Sequence, residues 1–334
     1  SRAKLLNDWE QYFNNSQQVA INLSDWAAQG DWRLYFLYRD RLESAKLSEV
    51  NRIAKEYLKT SNRTLGTYLP TKQPSRVQVP ATPDLASMIG DYQGRGAVEM
   101  GEKFDLSPAS IEARTNRSKL VSGVSLAAIP KKTRGGILNL RLTLRFGNLE
   151  TLQGSSGVAK LMDSMLMRGT KSRSRQEIAD ELNKYRAELT VSTRSPGTLS
   201  LNLKAKRENL IPLLDLIADI LSNPAFPASE LEILKRQAVA SYEQQQSDPQ
   251  MLAQVAVLQT LRPYAEGDPR AYAGIKENIA LIEATSVDDL KAFHEQFVSG
   301  ASGELTVIGD FDTGEVSAAF EELLGKLPGK AVFE

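Results

Sequence analysis

The chain has no cysteine and only one histidine in 334 residues. Each shortage excludes chemistry. Catalytic zinc is held largely by imidazole and thiolate ligands, so no multi-histidine or cysteine zinc site can be assembled here. Disulfides are excluded outright, so the cysteine count fits any redox compartment. A Ser-His or Cys-His nucleophile would have to run through His294. No apolar run approaches the roughly 18 residues of a membrane-spanning helix. Charge of one sign is also missing. The 41 Lys+Arg balance 41 Asp+Glu, which argues against nucleic-acid binding driven by phosphate neutralisation.

What remains is ordinary globular composition, 41% hydrophobic and 25% charged, in a length that suits about two domains. The chain opens at Ser1-Arg-Ala-Lys without an initiating Met or signal peptide. It therefore reads as a segment of a longer polypeptide, with any targeting signal outside it.

Residues 1–70 read as a partial helical lobe. In Leu47–Leu58, the residues Val50, Ile53, Ala54, Tyr57 and Leu58 share one helix face, and Ser48 is placed to cap it. Residues 62–69 read as a strand ended by Pro70. Residues 71–112 are polar, with Pro74, Pro80 and Pro83, and read as an extended linker. A second domain is expected over 113–334.

Within it, Ser122–Ile129 looks like a turn entering a strand. Leu138, Leu140, Leu142, Leu144 and Phe146 alternate with Asn139, Arg141, Thr143 and Arg145, a strand with one buried face. Val158, Leu161, Met162, Met165 and Leu166 form a helical stripe. Ser174 and Glu177 make a capping box. A hairpin is expected over 187–194 and 198–205, turning at Pro196-Gly197. Helices follow from Leu210 and from Ser229, the latter capped by Ser229 and broken at Asp248-Pro249. A helix over 287–297, a strand over 304–308 and a helix over 314–325 complete the pattern. The expected fold class is α+β: a mostly antiparallel sheet with helices packed on one face. The end of each lobe carries an echo, because the helix up to Leu58 and the helix Ser286–Phe297 each lead through a short polar turn to a β-rich segment.

The stretch Gly154–Thr170 carries the functional argument. It resembles the zinc helix of the pitrilysin/insulinase metalloproteases, with the inverted H-x-x-E-H motif set between glycines and a Gly-Thr. Gly157, Met165, Gly169 and Thr170 match that setting; the ligand positions do not. Lys160 stands at the first His, Asp163 at the Glu and Ser164 at the second His. In the active motif the two His at i and i+4 grip one Zn²⁺, and the Glu activates its water as general base. An ammonium at 160 repels the ion, and a hydroxyl at 164 is too weak a ligand. Lys160 and Asp163, at i and i+3, are placed to pair, worth at most about 1 kcal/mol if exposed. The third ligand of the family falls near Ala240-Ser241, with Glu243 close by.

The resemblance covers nearly the whole chain, including Gly30–Arg41, Ser61–Thr71, Phe146-Gly147, Asp248-Pro249 and Val307–Asp310. It implies a metalloprotease-like α/β roll that is the non-catalytic domain of a long bacterial two-half protein. It further implies that zinc sits in the other, catalytic half of the same polypeptide and that none is bound in this segment. The implied partners are that half and a peptide or unfolded polypeptide substrate, and the implied setting is periplasmic or exported. A second reading is a purely structural assembly subunit, like the core proteins of respiratory complexes. A third is an unrelated hydrolase using His294, although Val298 stands where H-E-x-x-H would need its second His. Lys204–Arg207 reads as a solvated strand end, and Gly154–Gly157 lacks the G-K-[ST] continuation of a phosphate loop.

Overall fold

The computed structural model describes residues 2–64, 66, 89, 90, 92–94, 100–195, 197–329 and 333. The chain divides into two compact units, Ser1–Ala97 and Val98–Glu334. The first is helical: α1 (Arg2–Phe13), α2 (Ser16–Ala28), α3 (Leu34–Ser44) and α4 (Leu47–Tyr57). Helix α4 starts before Ser48. Its N-cap is Lys46, whose N–H is taken by the Glu49 carboxylate at 2.9 Å, so the acid at the third position fixes the start instead of Ser48. Most of the strand expected over 62–69, and most of the linker's proline-rich part, lie outside the described residues.

In the second unit, helix α5 (Pro108–Arg114) opens with Ser107 accepting from Ser110 N and Pro108 in the first turn. It occupies the last part of the segment expected as linker. Strands β1 (Asn116–Lys119), β2 (Ser125–Pro130) and β3 (Ile137–Arg145) follow. Then come α6 (Ser156–Leu166), α7 (Arg175–Lys184) and the hairpin β4 (Glu188–Ser195) and β5 (Thr198–Lys206). Helices α8 (Leu210–Ser222), α9 (Ala228–Gln245), α10 (Pro249–Leu261), α11 (Ile275–Ala284) and α12 (Val287–Phe297) lead to β6 (Gly303–Gly309) and α13 (Thr313–Gly325).

Among the described residues the strands form one six-stranded sheet in the order β1-β2-β6-β3-β5-β4. Only the β2–β6 pair is parallel, so the mostly antiparallel α+β expectation holds. Period-two alternation decides the faces. Leu138, Leu140, Leu142 and Leu144 of β3, Leu199, Leu201 and Leu203 of β5, and Leu305 and Val307 of β6 are buried. They share one core with α6, α8, α12 and α13. Asn139, Arg141, Asn202 and Thr306 stay exposed.

Two boundaries differ from the pattern. Helix α9 begins at Ala228 with Pro227 as N-cap and no side-chain cap, so Ser229 lies inside it. Asp248 and Pro249 do more than stop α9. Asp248 accepts from Gln250 and Met251 N–H groups and starts α10.

Candidate functional site

Helix α6 carries the degenerate motif and is held by its apolar stripe. Leu161, Met162, Met165 and Leu166 are all at most 2% exposed. The residues that match the zinc-helix setting serve packing. A Cβ on Gly157 would lie 2.8 Å from the Leu281 carbonyl oxygen, so glycine lets α11 approach α6 closely. Gly169 adopts φ 138° just past the helix. The Thr170 hydroxyl donates to Asp219 at 2.6 Å and accepts from Arg173 N at 2.9 Å. Burial works to raise the pKa of Asp219, but hydrogen bonds from Thr170, Ser172, Arg173 and Asn223 hold it below the usual carboxylate value. Arg168, from the same turn, pairs with Glu230 of α9 at 2.6 Å.

The positions that the resemblance matches to metal ligands do different things. Asp163 is half-buried and has both oxygens engaged. One accepts from Ser164 N at 2.5 Å, the other from Thr193 N on β4 at 3.1 Å. The carboxylate that would stand at the general-base position thus ties α6 to the edge strand. Lys160 and Asp163 do not form the ion pair their spacing allows, and the Asp163 oxygens meet backbone donors instead. The Lys160 side chain reaches solvent, yet the protein crowding its ammonium lowers its pKa, opposed by attraction to Glu277 of α11. Ser164 is half-buried. Ser241 lies exposed on α9, where its hydroxyl accepts from Gln245 at 3.5 Å, and Ala240 and Glu243 beside it are also exposed.

These residues do not fit zinc. An ammonium, a committed carboxylate and two hydroxyls offer neither soft nor anionic ligands in tetrahedral number. Among the described residues no group of three or more His, Cys, Asp or Glu could hold a metal ion.

His294, the remaining candidate for catalysis, is structural. It is 4% exposed, and its Nε2–H donates to the Leu221 carbonyl at 2.7 Å. The ring meets Phe226 edge-on at 5.8 Å. It thereby caps the last turn of α8, and burial lowers its pKa. The structure also contributes a partner that the sequence did not announce, Thr193, whose N–H reaches Asp163 from β4. The bond is long-range, and no local pattern marks it.

With this geometry in place, comparison with known proteins is informative. Residues 127–271 match the family model described as Insulinase (Peptidase family M16). That stretch is similar to an insulinase-family domain. The chain is 22% identical over 249 residues to the chloroplastic stromal processing peptidase of Arabidopsis thaliana, covering 69% of this chain and 19% of that protein. It is 30% identical over 202 residues to the non-peptidase homolog YmxG of Helicobacter pylori, covering 58% of this chain and 44% of that one. The fold matches the crystal structure of a peptidase M16 inactive domain from Pseudomonas fluorescens, with TM-score 0.58 and 22% identity over 66% of this chain and 52% of that one. A protease structure from Helicobacter pylori matches with TM-score 0.55 and 18% identity at the same coverage. The chain therefore spans less than half the length of these curated relatives and about half of these two structures. No helix among the described residues is long and apolar enough to cross a membrane.

Proposed function

We propose that this chain is the non-catalytic half of a zinc metalloendopeptidase. It would complete a substrate-enclosing chamber and position polypeptide for a catalytic half that holds the zinc. The observation that carries this reading is the state of Asp163. One of its oxygens accepts from Ser164 N within α6 and the other from Thr193 N on β4, so the carboxylate at the position matched to the general base clamps α6 to β4. A water-activating role needs a free carboxylate beside a metal, and Lys160, Ser164 and Ser241 supply no ligands for one.

The clamp also bears on how polypeptide would be held. Strand β4 lies at the edge of the sheet, where an extended peptide can add by backbone hydrogen bonding. The Thr193 N–H is already taken by Asp163, so that group is withheld from an added strand.

Two measurements test the reading. Calorimetric titration of the chain with zinc should show no tight site, and a quenched fluorogenic peptide should not be cleaved. Addition of the chain to the catalytic half should raise kcat/KM on a polypeptide substrate. Peptide hydrolysis by the isolated chain, abolished by His294→Gln, would overturn the proposal in favour of an unrelated hydrolase. The name of the Helicobacter relative, a non-peptidase homolog, favours keeping a purely structural reading as the alternative. A partner polypeptide lacking any H-x-x-E-H motif would decide for it.

A further inference from the structure

Residues 168–175, Arg-Gly-Thr-Lys-Ser-Arg-Ser-Arg, carry four cations and no acid in a chain whose charges cancel overall. Backbone hydrogen bonds hold this loop in one shape. Gly169, at φ 138°, turns the chain after α6. Thr170 N donates to the Arg173 carbonyl at 2.8 Å and closes a tight turn. Lys171 N donates to Asn223 O at 2.9 Å, and Ala225 N donates to Gly169 O at 3.0 Å. These two bonds tie the loop to the connection between α8 and α9. Asp219 accepts from Thr170, Ser172 and Arg173 in the same place. The backbone that displays the cations is thus fixed before any partner arrives, which lowers the ordering cost of binding.

Together with the start of α9, the loop lines an open cleft of 880 Å³. Four lining side chains are cationic, Arg168, Lys171, Arg173 and Arg175, and one is acidic, Glu230. Arg173 is answered by Asp219 at 2.7 Å and Glu181 at 2.9 Å. Glu230 is shared, with Arg168 at 2.6 Å and Arg175 at 3.6 Å. One carboxylate cannot neutralise two guanidinium groups. Lys171 is exposed and forms no ion pair among the described residues. The surplus positive charge therefore sits on Lys171 and Arg175, the two most exposed of the four.

We infer that this cleft binds a polypeptide segment bearing several acidic side chains. Its arginines already grip carboxylates, so the acids of such a segment compete for the groups that Glu230 must share. A single phosphate fits less well. The first turn of α7 is closed by its own capping box, Ser174 with Glu177, and the cations are spaced two or three residues apart along the loop. The adjoining cleft along α7 limits the surface. It is lined by Glu177, Asp180 and Glu181, with Arg173 and Lys184 against them, so an acidic segment is repelled beyond Arg173. The inference rests on charge and geometry, and it stands whether or not the chain is half of a peptidase.

Fluorescence anisotropy of a labelled hexaglutamate peptide with the 334-residue chain tests it, at low ionic strength, where exposed charge pairs are least screened. Hexaglutamate should bind, and hexaglutamine, of similar size, should not. The double variant Lys171→Glu, Arg175→Glu should weaken binding by about tenfold or more, the loss of two exposed ion pairs. Lys171→Gln alone should weaken it in the same direction by a smaller factor. Both side chains project from the surface, so circular dichroism should show these variants folded. Glu230→Gln removes the competing carboxylate and should tighten binding. Equal affinity of the native chain and the folded variants would overturn the inference, as would hexaglutamate that fails to bind. Inorganic phosphate that displaces the peptide at matched ionic strength would also overturn it, since the cleft would then be a phosphate site.

Discussion

The two units use similar helices to different ends. In the second, helices lie on a sheet whose inward leucines are almost fully buried. Among the described residues of the first, the buried ones are Asn7, Gln11, Tyr35 and Ile89, and cohesion comes from an aromatic cluster. Trp9 stacks on Phe13 at 4.8 Å, and the Arg39 guanidinium sits 4.6 Å over the Trp9 ring. Periodicity fixes which side of a helix is apolar; only a second element turns that side into a core. Stability should therefore be distributed very unevenly between the two.

The largest contrast is expected at Phe293. Its ring meets Phe146 at 5.9 Å and Phe297 at 4.9 Å, so Phe293→Ala leaves a cavity and should cost about 3–5 kcal/mol. Urea unfolding followed by tryptophan-independent circular dichroism measures this. A loss below about 1 kcal/mol would mean that α12 is not part of the cooperative core.

Next in size is the clamp. Asp163→Ala removes the acceptor for the Thr193 N–H and should cost about 1–3 kcal/mol. Exchange at the Thr193 amide should accelerate selectively. Asp163→Asn keeps an acceptor oxygen and should lose less. If Thr193 exchanges at the same rate in all three proteins, the tie between α6 and β4 carries no weight.

A smaller, pH-dependent effect belongs to His294. Its folded pKa lies below the ordinary 6.5 because burial disfavours the charged ring. The unfolded chain then binds the proton more readily, so stability falls as pH drops below about 6.5 and levels off beneath the folded pKa. The ring carries the only imidazole in the chain, which makes the assignment unambiguous. The thermal midpoint should fall between pH 7.5 and 5, and His294→Gln, which can still donate to Leu221, should flatten that part of the profile. Carboxylates titrate lower and leave this window largely to the imidazole. An unchanged slope in the variant would place the proton uptake elsewhere.

Much of this was legible in the residues. The alternation of β3, the stripe of α6, the Ser174–Glu177 box and the strand at β6 all follow from local period and cap chemistry, and the structure reproduces them. Less legible were features set by distance. Asp163 and Thr193 are 30 residues apart, and nothing in either neighbourhood announces their bond. Helix α10 was hidden for another reason. Apolar residues such as Leu252, Val257 and Leu261 lie on its exposed sides, so no single stripe marks a face. The starts of α4 and α9 shifted because a capping serine competes with other first-turn solutions, an acid at the third position in one case and a proline in the other.

The smallest effect sharpens the comparison most. Ile53 occupies in α4 the place that Phe293 occupies in α12, yet it is 44% exposed. Truncating an exposed side chain forfeits little burial, so Ile53→Ala should change the stability of this chain by no more than about 0.5 kcal/mol. Alanine's higher helix propensity can even offset the loss by a few tenths of a kcal/mol. Parallel urea titrations of the Ile53 and Phe293 variants give the ratio directly. A cost at Ile53 approaching that at Phe293 would mean that the α4 face is already covered within these 334 residues, and the contrast between the two units would then be one of sequence rather than of packing.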